Sequence, residues 1–145
     1  MNEFDEIHYK QILQETEHTL RVCADMCLSR PGFKVTVYIR SIDNIMKLKP
    51  IVDSIQADLD YCSFRHENDN VYFDFENGSK MQFIIMNDAL LKEESNWIVI
   101  DHDIEQVDID SFIQPLIIPY TAAGIQINPK LFYILFTINN SNTEE

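Results

Sequence analysis

The sequence predicts a three-layer α/β domain with a mainly parallel central sheet and one β-hairpin. Segments with a three-four apolar rhythm alternate with short apolar runs rich in β-branched residues. An Asn-Gly pair also separates two runs of alternating pattern. The chain has 145 residues, 46% of them hydrophobic. We therefore expect a single domain over residues 1–145, large enough to bury a substantial core.

The first expected element is a helix over residues 4–28, ended by the Ser-Arg-Pro-Gly sequence at 29–32. One face of this helix carries five residues at spacings of three and four: Ile12, Thr16, Leu20, Cys23 and Cys27. Residues 34–40 form a β-rich run. Ser41 can then cap a second helix reaching about residue 59, which Pro50 should kink or split in two.

The second half of the chain predicts mostly strands. Runs 71–75 and 81–85 flank Asn77 and Gly78, so we expect a hairpin with both turn residues at positive φ. Runs 97–100 and 131–138 are continuously apolar, as in central strands covered on both faces. Residues 109–118 suggest a short helix ending near Pro119, and residues 139–145 a frayed tail.

The charge balance argues against direct nucleic-acid binding. The formal net charge is −13, which would repel a phosphate backbone. The acids cluster in the second half of the chain, where they form either a solvated face or a docking surface for a basic protein. The candidate docking residues are Glu93, Glu94, Asp103, Glu105, Asp108 and Asp110.

Three cysteines in a domain of this size point to a reducing compartment rather than a disulfide framework. We expect no membrane span and no secretory signal, because no run reaches 18 apolar residues and the first ten residues lack an apolar core. The cytosol or nucleus fits these features best. The oligomeric state stays open.

The run Trp97-Ile98-Val99-Ile100-Asp101 has the form of a Walker B segment, in which an acid at a strand end holds Mg²⁺. Many parallel strands end in Asp for solubility or capping, so both interpretations stand on the motif alone. The cluster Asp101-His102-Asp103 could also supply metal ligands, with Asp101 and Asp103 on one strand face and His66 as a distant third ligand, although such residues more often face water. We expect no bound metal.

Other catalytic signatures are missing. A P-loop needs Gly-x4-Gly-Lys-Ser/Thr, and none of the three glycines is followed by Lys-Ser or Lys-Thr. No Gly-x-Ser-x-Gly elbow occurs, and no histidine lies in a recognisable nucleophile signature. Cys23 and Cys27 could join a soft-metal site, but no second cysteine pair exists, which favours buried apolar thiols.

Taken in order, residues 13–140 resemble the ATPase domain of the large terminase subunit, the DNA-packaging motor of tailed phages and herpesviruses. The matching pieces are the strand 34–40, the Asn-Gly-Ser turn segment 71–80, the Walker B-like strand 97–101 and the helix 112–117. Residues 134–139 resemble the family's coupling motif through Thr137 and Asn139. The resemblance implies a P-loop-NTPase-like fold.

The departures from this family fall on its catalytic positions. Where the family has Gly-Lys-Thr, this chain has Thr16, Glu17, His18 and Thr19, which places a glutamate at the position of the phosphate-binding lysine. Asp101 is followed by His102 in place of the glutamate that activates water. We therefore expect no cofactor and no catalysis.

The resulting expectation is a terminase-ATPase-like viral pseudoenzyme that binds a protein, either a packaging or capsid protein or a basic host protein. Two alternatives remain. One is an acidic inhibitor of a host DNA-binding or defence protein. The other is an ATPase subunit completed by another chain, with Asp101 retained from the original site.

Overall fold

The computed structural model describes residues 3–86, 93–122 and 124–134. Two long helices, α1 (Glu3–Ser29) and α2 (Ile42–Asp58), precede and follow the first strand. The strands are β1 (Lys34–Ile39), β2 (Cys62–Glu67), β3 (Asn70–Phe75), β4 (Lys80–Ile85), β5 (Trp97–Asp101), β6 (Tyr120–Ala122), β7 (Ile125–Ile127) and β8 (Lys130–Ile134). A helical segment at 106–116 follows β5, passing from an α-helical turn through a π-helical turn to a 3₁₀ turn.

Six strands form one sheet in the order β2-β3-β4-β1-β5-β8. The pairs β1 with β4, β1 with β5 and β5 with β8 are parallel, whereas β2 with β3 and β3 with β4 are antiparallel. The short strands β6 and β7 form a separate antiparallel pair. This arrangement confirms the predicted α/β fold with a mainly parallel sheet and a hairpin.

The sheet has helical elements on both faces, which confirms three layers. Odd-numbered residues of β1, β4 and β5 pack against α1 and α2 in the larger core cluster. We call this side the α1/α2 face. Even-numbered residues such as Tyr38, Ile84 and Ile98 pack against Ile109 and Ile113 of the segment 106–116. We call that side the opposite face.

The predicted apolar stripe of α1 is confirmed, because all five of its residues are buried: Ile12, Thr16, Leu20, Cys23 and Cys27. Ser41 caps α2 as expected, its hydroxyl accepting a hydrogen bond from the Asn44 amide at 3.3 Å. The prediction that Pro50 splits this helix is wrong, since α2 is continuous from Ile42–Asp58. The carbonyl that Pro50 leaves without a donor belongs to Met46, which is exposed and can bind water.

The β3–β4 hairpin is confirmed in register, with Phe73 opposite Met81. The prediction of two positive φ angles is wrong, because only Gly78, at φ 88°, adopts one. The connection spans the four residues 76–79, as the sequence predicts, and its side chains contact the end of α1. The Asn77 amide donates to the Cys27 carbonyl at 2.8 Å, and the Ser79 hydroxyl donates to the same carbonyl at 2.6 Å.

Three further features depart from the sequence expectations. The sequence did not predict β2, which joins β3 through Asn68 and Asp69, both at positive φ; nor did it predict the β6–β7 pair. The strand expected over 131–138 is not covered on both faces in its described part: β8 lies at a sheet edge, and its Tyr133 is 56% exposed. Residues 135–145 lie outside the described ranges.

In the part of the chain that the structure describes, no helix is long and apolar enough to cross a membrane.

Candidate functional site

The carboxyl ends of β1 and β5 meet at a point where the chain leaves the sheet in two directions. After β1 the chain enters α2 on the α1/α2 face, and after β5 it enters the segment 106–116 on the opposite face. Such a switch in direction between neighbouring parallel strands opens a crevice, which is where α/β proteins commonly bind ligands. The Walker B-like residue Asp101 lies there, at the end of β5.

Asp101 is fully buried and binds protein groups through both of its oxygens. Oδ2 accepts from the Arg40 backbone amide at 2.9 Å and from the Asn44 side-chain amide at 2.7 Å. Oδ1 accepts from the backbone amide of Asp103 at 3.0 Å. The carboxylate therefore joins the end of β5 to the end of β1 and the first turn of α2.

His102 and Asp103 complete a small cluster beside Asp101. The Asn44 amide also donates to Asp103 Oδ2 at 2.8 Å, and His102 Nε2 lies 3.0 Å from Asp103 Oδ1. Ligand atoms of Asp101, His102 and Asp103 lie within 4.8 Å of one another. His66 does not join them, because β2 lies four strand positions from β5, or about 19 Å at the usual strand spacing.

The cluster fits a Mg²⁺ ion poorly. Two N–H donors occupy Asp101 Oδ2, and the amide of Asp103 binds Oδ1. A carboxylate oxygen has two lone pairs, so Oδ2 has no position left for a metal. Mg²⁺ requires freely presented oxygen ligands in near-octahedral geometry. The arrangement is that of a buried carboxylate fixing two strand ends.

The residues at the position of the family's phosphate loop lie in the middle of α1. Thr16, Glu17, His18 and Thr19 are interior residues of a 27-residue helix. Their backbone amides belong to the helical hydrogen-bond pattern and cannot cradle a phosphate as a loop at a helix N-terminus does. Thr16 and Thr19 nevertheless line a cavity of about 210 Å³ together with Ile134, the register partner of Asp101 in β8.

Glu17 turns away from this cavity towards α2. Its carboxylate binds Arg21 at 2.8 Å, and Arg21 also binds Asp58 of α2 at 2.8 Å. An adjacent cation therefore offsets the charge of Glu17, so Glu17 opposes a bound polyanion less than the sequence alone suggested. Glu17 holds Arg21 within α1, and Arg21 makes the contact with α2 through Asp58 and Ser54.

The six candidate docking acids do not form one surface. Glu93 and Glu94 precede β5, and Glu93 binds Lys34 at the start of β1 at 2.8 Å. The other four follow β5 at the opposite end of the strand: Asp103, Glu105, Asp108 and Asp110. Exposed Val107 and Phe112 lie among these four in sequence.

Sequence reasoning missed Asn44, the residue that joins the two acids of the cluster. The signal available was its position three residues after the capping Ser41, which marks it as a first-turn residue of α2. Its partners, 57 and 59 residues away, could not be read from local spacing. The coupling-motif residues Thr137 and Asn139 lie outside the described residues.

Comparison with known proteins gives a likeness in fold only. No protein-family model matches the sequence, and no curated protein matches it. Among solved structures, a mutant of the ATPase domain of the large terminase from Thermus phage P74-26 is similar, with a TM-score of 0.50 and 10% identity. The match covers 82% of this chain and 54% of the terminase chain, so this chain corresponds to about half of that protein. A distant terminase-like fold is therefore supported.

Proposed function

We propose that this chain is a non-catalytic, terminase-ATPase-like viral protein that acts by binding another protein, in DNA packaging or virion assembly. The observation that carries the proposal is the state of Asp101, whose two oxygens accept three protein N–H groups. The acid that would hold Mg²⁺ in an ATPase serves here as a buried link between β1, α2 and β5.

The phosphate side of the ancestral site supports the same conclusion. The 145-residue sequence contains no Gly-x4-Gly-Lys-Ser/Thr motif. The corresponding residues Thr16 to Thr19 belong to a regular helix, and His102 stands where a catalytic glutamate is required. At the described positions a phosphate cradle, a phosphate-binding lysine and a water-activating acid are all missing, which supports a chain without hydrolytic activity.

The segment after β5 supports a protein partner. Exposed Val107 and Phe112 lie among Glu105, Asp108 and Asp110. Exposed apolar residues surrounded by charges are typical of protein-binding surfaces, whereas a mimic of nucleic acid needs charge alone. A packaging or capsid protein with a basic, partly apolar surface is the partner that this chemistry favours.

Nucleotide titration tests the non-catalytic assignment. We expect no saturable Mg-ATP binding up to about 1 mM by calorimetry, and no thermal stabilisation at that concentration. Asp101→Ala should lower the free energy of unfolding by about 2–4 kcal/mol without nucleotide, because it removes the acceptor of three N–H groups, one buried and two part-buried. Asp110→Ala, at an exposed acid of the segment 106–116, should change it by less than about 0.5 kcal/mol. A micromolar dissociation constant abolished by Asp101→Ala would refute the assignment.

Affinity purification from infected cells tests the binding role. We expect the chain to recover a packaging or capsid protein, and Val107→Ser with Phe112→Ser to abolish recovery. Val22→Ser, at an exposed valine of α1, is the matched control and should leave recovery unchanged. A host DNA-binding protein recovered in a strongly salt-sensitive manner would favour the acidic inhibitor. ATPase activity appearing on mixing with a second viral chain would favour the subunit completed in trans.

A further inference from the structure

The opposite face of the sheet contains a small cavity with a polar floor. It has a volume of about 150 Å³ and is lined by Tyr38, Tyr72, Gln82, Ile84 and Glu93. Tyr38, Gln82 and Ile84 are at least nine-tenths buried, whereas Glu93 is exposed. The first three therefore form the floor, and the acid lies at the mouth.

Tyr38 is the unusual residue of this cavity. It is 1% exposed, and its hydroxyl has no hydrogen-bond partner among the described residues. A buried hydroxyl without a partner costs free energy, so native proteins rarely retain one unless a ligand or water satisfies it. Burial, and secondarily the negative charge of Glu93, raises the pKa of Tyr38 to about 12. The hydroxyl therefore remains protonated, and so a hydrogen-bond donor, at neutral pH.

Gln82 supplies the second polar group and is held in place. Its amide donates to Thr36 Oγ1 at 2.9 Å, and Thr36 Oγ1 is 2.7 Å from Ser95 Oγ. This bond uses one N–H of the carboxamide. The side chain also carries a second N–H donor and a carbonyl acceptor. The ring of Tyr72 lies at the wall, with the Arg65 guanidinium 4.4 Å from its centroid.

Size and charge restrict what can bind. A cavity of about 150 Å³ admits a single six-membered ring. Two tyrosine rings and an isoleucine favour a planar molecule, and the floor offers hydrogen-bond donors and an acceptor. The Glu93 carboxylate at the mouth is paired with Lys34 at 2.8 Å, so the mouth has no net positive charge to attract an anion.

We propose that this cavity is a binding site for a small, uncharged planar heterocycle with adjacent N–H and C=O groups, which accepts a hydrogen bond from Tyr38. The site is separate from the Asp101 cluster and does not depend on the proposed protein-binding function.

Titration with 2-pyridone, followed by NMR on the full chain, tests this proposal. We expect saturable binding at or below about 1 mM, within the range open to so small a ligand. Tyr38→Phe should weaken binding about ten-fold. Benzoate, a ring of similar size with a negative charge, should bind at least ten-fold more weakly, and Glu93→Gln should reduce that difference.

The thermal stability of Tyr38→Phe gives an independent test, because the substitution should weaken ligand binding but stabilise the free protein. Without ligand, the variant should unfold at a higher temperature than the wild type, because an unsatisfied buried hydroxyl is removed. A lower unfolding temperature would mean that water or another part of the chain already satisfies the hydroxyl, and would overturn the proposal. Binding of 2-pyridone that Tyr38→Phe leaves unchanged, equal binding of benzoate, or no saturation up to about 10 mM would also overturn it.

Discussion

The two faces of the central sheet are built differently. On the α1/α2 face, long helices cover the odd-numbered strand residues with an almost wholly apolar cluster that includes Leu20, Phe33 and Leu48. On the opposite face, a short segment of mixed helical geometry covers a smaller cluster. That face also contains buried polar groups, namely Thr36, Gln82 and Ser95.

This difference separates two sources of stability. The α1/α2 face depends on close packing, so substitutions that shorten its buried side chains should destabilise it most. The opposite face also depends on buried polar groups that hydrogen-bond to one another, so removing one hydrogen-bond partner should destabilise it. Substitutions of the two kinds should therefore have different effects on the two faces.

The largest expected effect is loss of packing at Phe33. This ring is fully buried and lies 5.3 Å from the ring of Trp97 and 5.2 Å from that of Tyr120. Phe33→Ala should lower the free energy of unfolding by about 3–5 kcal/mol in denaturant titrations. Phe112→Ala, at a 45% exposed phenylalanine, should cost much less. Equal losses would show that the close packing of Phe33 is not the source of its effect.

A smaller loss is expected when the polar row of the opposite face is broken at Thr36. Thr36→Val keeps the size of the side chain but leaves the Gln82 amide and the Ser95 hydroxyl without this partner. We expect a loss of roughly 1–3 kcal/mol. Thr36→Ser retains the hydroxyl and should cost less than Thr36→Val. A stabilised Thr36→Val variant would show that the row contributes nothing.

The α1/α2 face should be sensitive to alkaline pH. Burial raises the pKa of Cys23 to about 12, and burial also raises the pKa of Cys27. Above about pH 8.5 the unfolded chain loses the thiol protons, whereas the folded protein still holds them. The free energy of unfolding is therefore unaffected by these thiols below about pH 8.5 and falls as the pH rises above it. Each thiol should cost about 1.4 kcal/mol per pH unit above that value. Unfolding at pH 7.5 and 9.5 should therefore show a smaller decline for Cys23→Ala than for the wild type, and equal declines would contradict this account.

The smallest expected effect concerns the turn that joins β3 to β4. Gly78 has a φ of 88°, and a Cβ there would meet no atom within 4 Å. Gly78→Val should therefore cost roughly 1 kcal/mol or more through backbone strain alone. Gly78→Asn, which tolerates this conformation better, should cost less. Unchanged thermal stability of the valine variant would count against a structural role for this turn.

Residue patterns within single segments predicted several elements of the fold. The stripe of α1, the cap at Ser41, the β3–β4 hairpin and the buried strand β5 all follow from spacing within one segment. Strand β2 was missed because its residues are largely polar and exposed, and only Cys62 and Phe64 alternate as apolar, partly buried residues. The edge position of β8 was missed because strand order depends on long-range pairing that a continuous apolar run does not encode.

The candidate site was predicted in part. The end of an apolar strand marked Asp101, but its burial and its three donors come from β1, α2 and the following turn. The sequence shows that a glutamate replaces the phosphate-binding lysine at Glu17, but it does not show that Arg21 pairs with this carboxylate and offsets its charge. The unpartnered hydroxyl of Tyr38 left no mark in the sequence, because Tyr38 lies in a β-rich run where a tyrosine is ordinary.

The turn at residues 76–79 has a consequence for the order of folding. Its Asn77 and Ser79 side chains bind the Cys27 carbonyl at the end of α1 from a distance of about fifty residues along the chain. The carbonyls of Asp25 and Met26 accept from the nearby Ser29 hydroxyl, but the Cys27 carbonyl receives its side-chain donors only once β3 and β4 have paired. Closing this long loop therefore completes the hydrogen bonds at the end of the helix. We expect the end of α1 and the hairpin to exchange their amide protons as one cooperative unit, with the first turns of the helix exchanging independently.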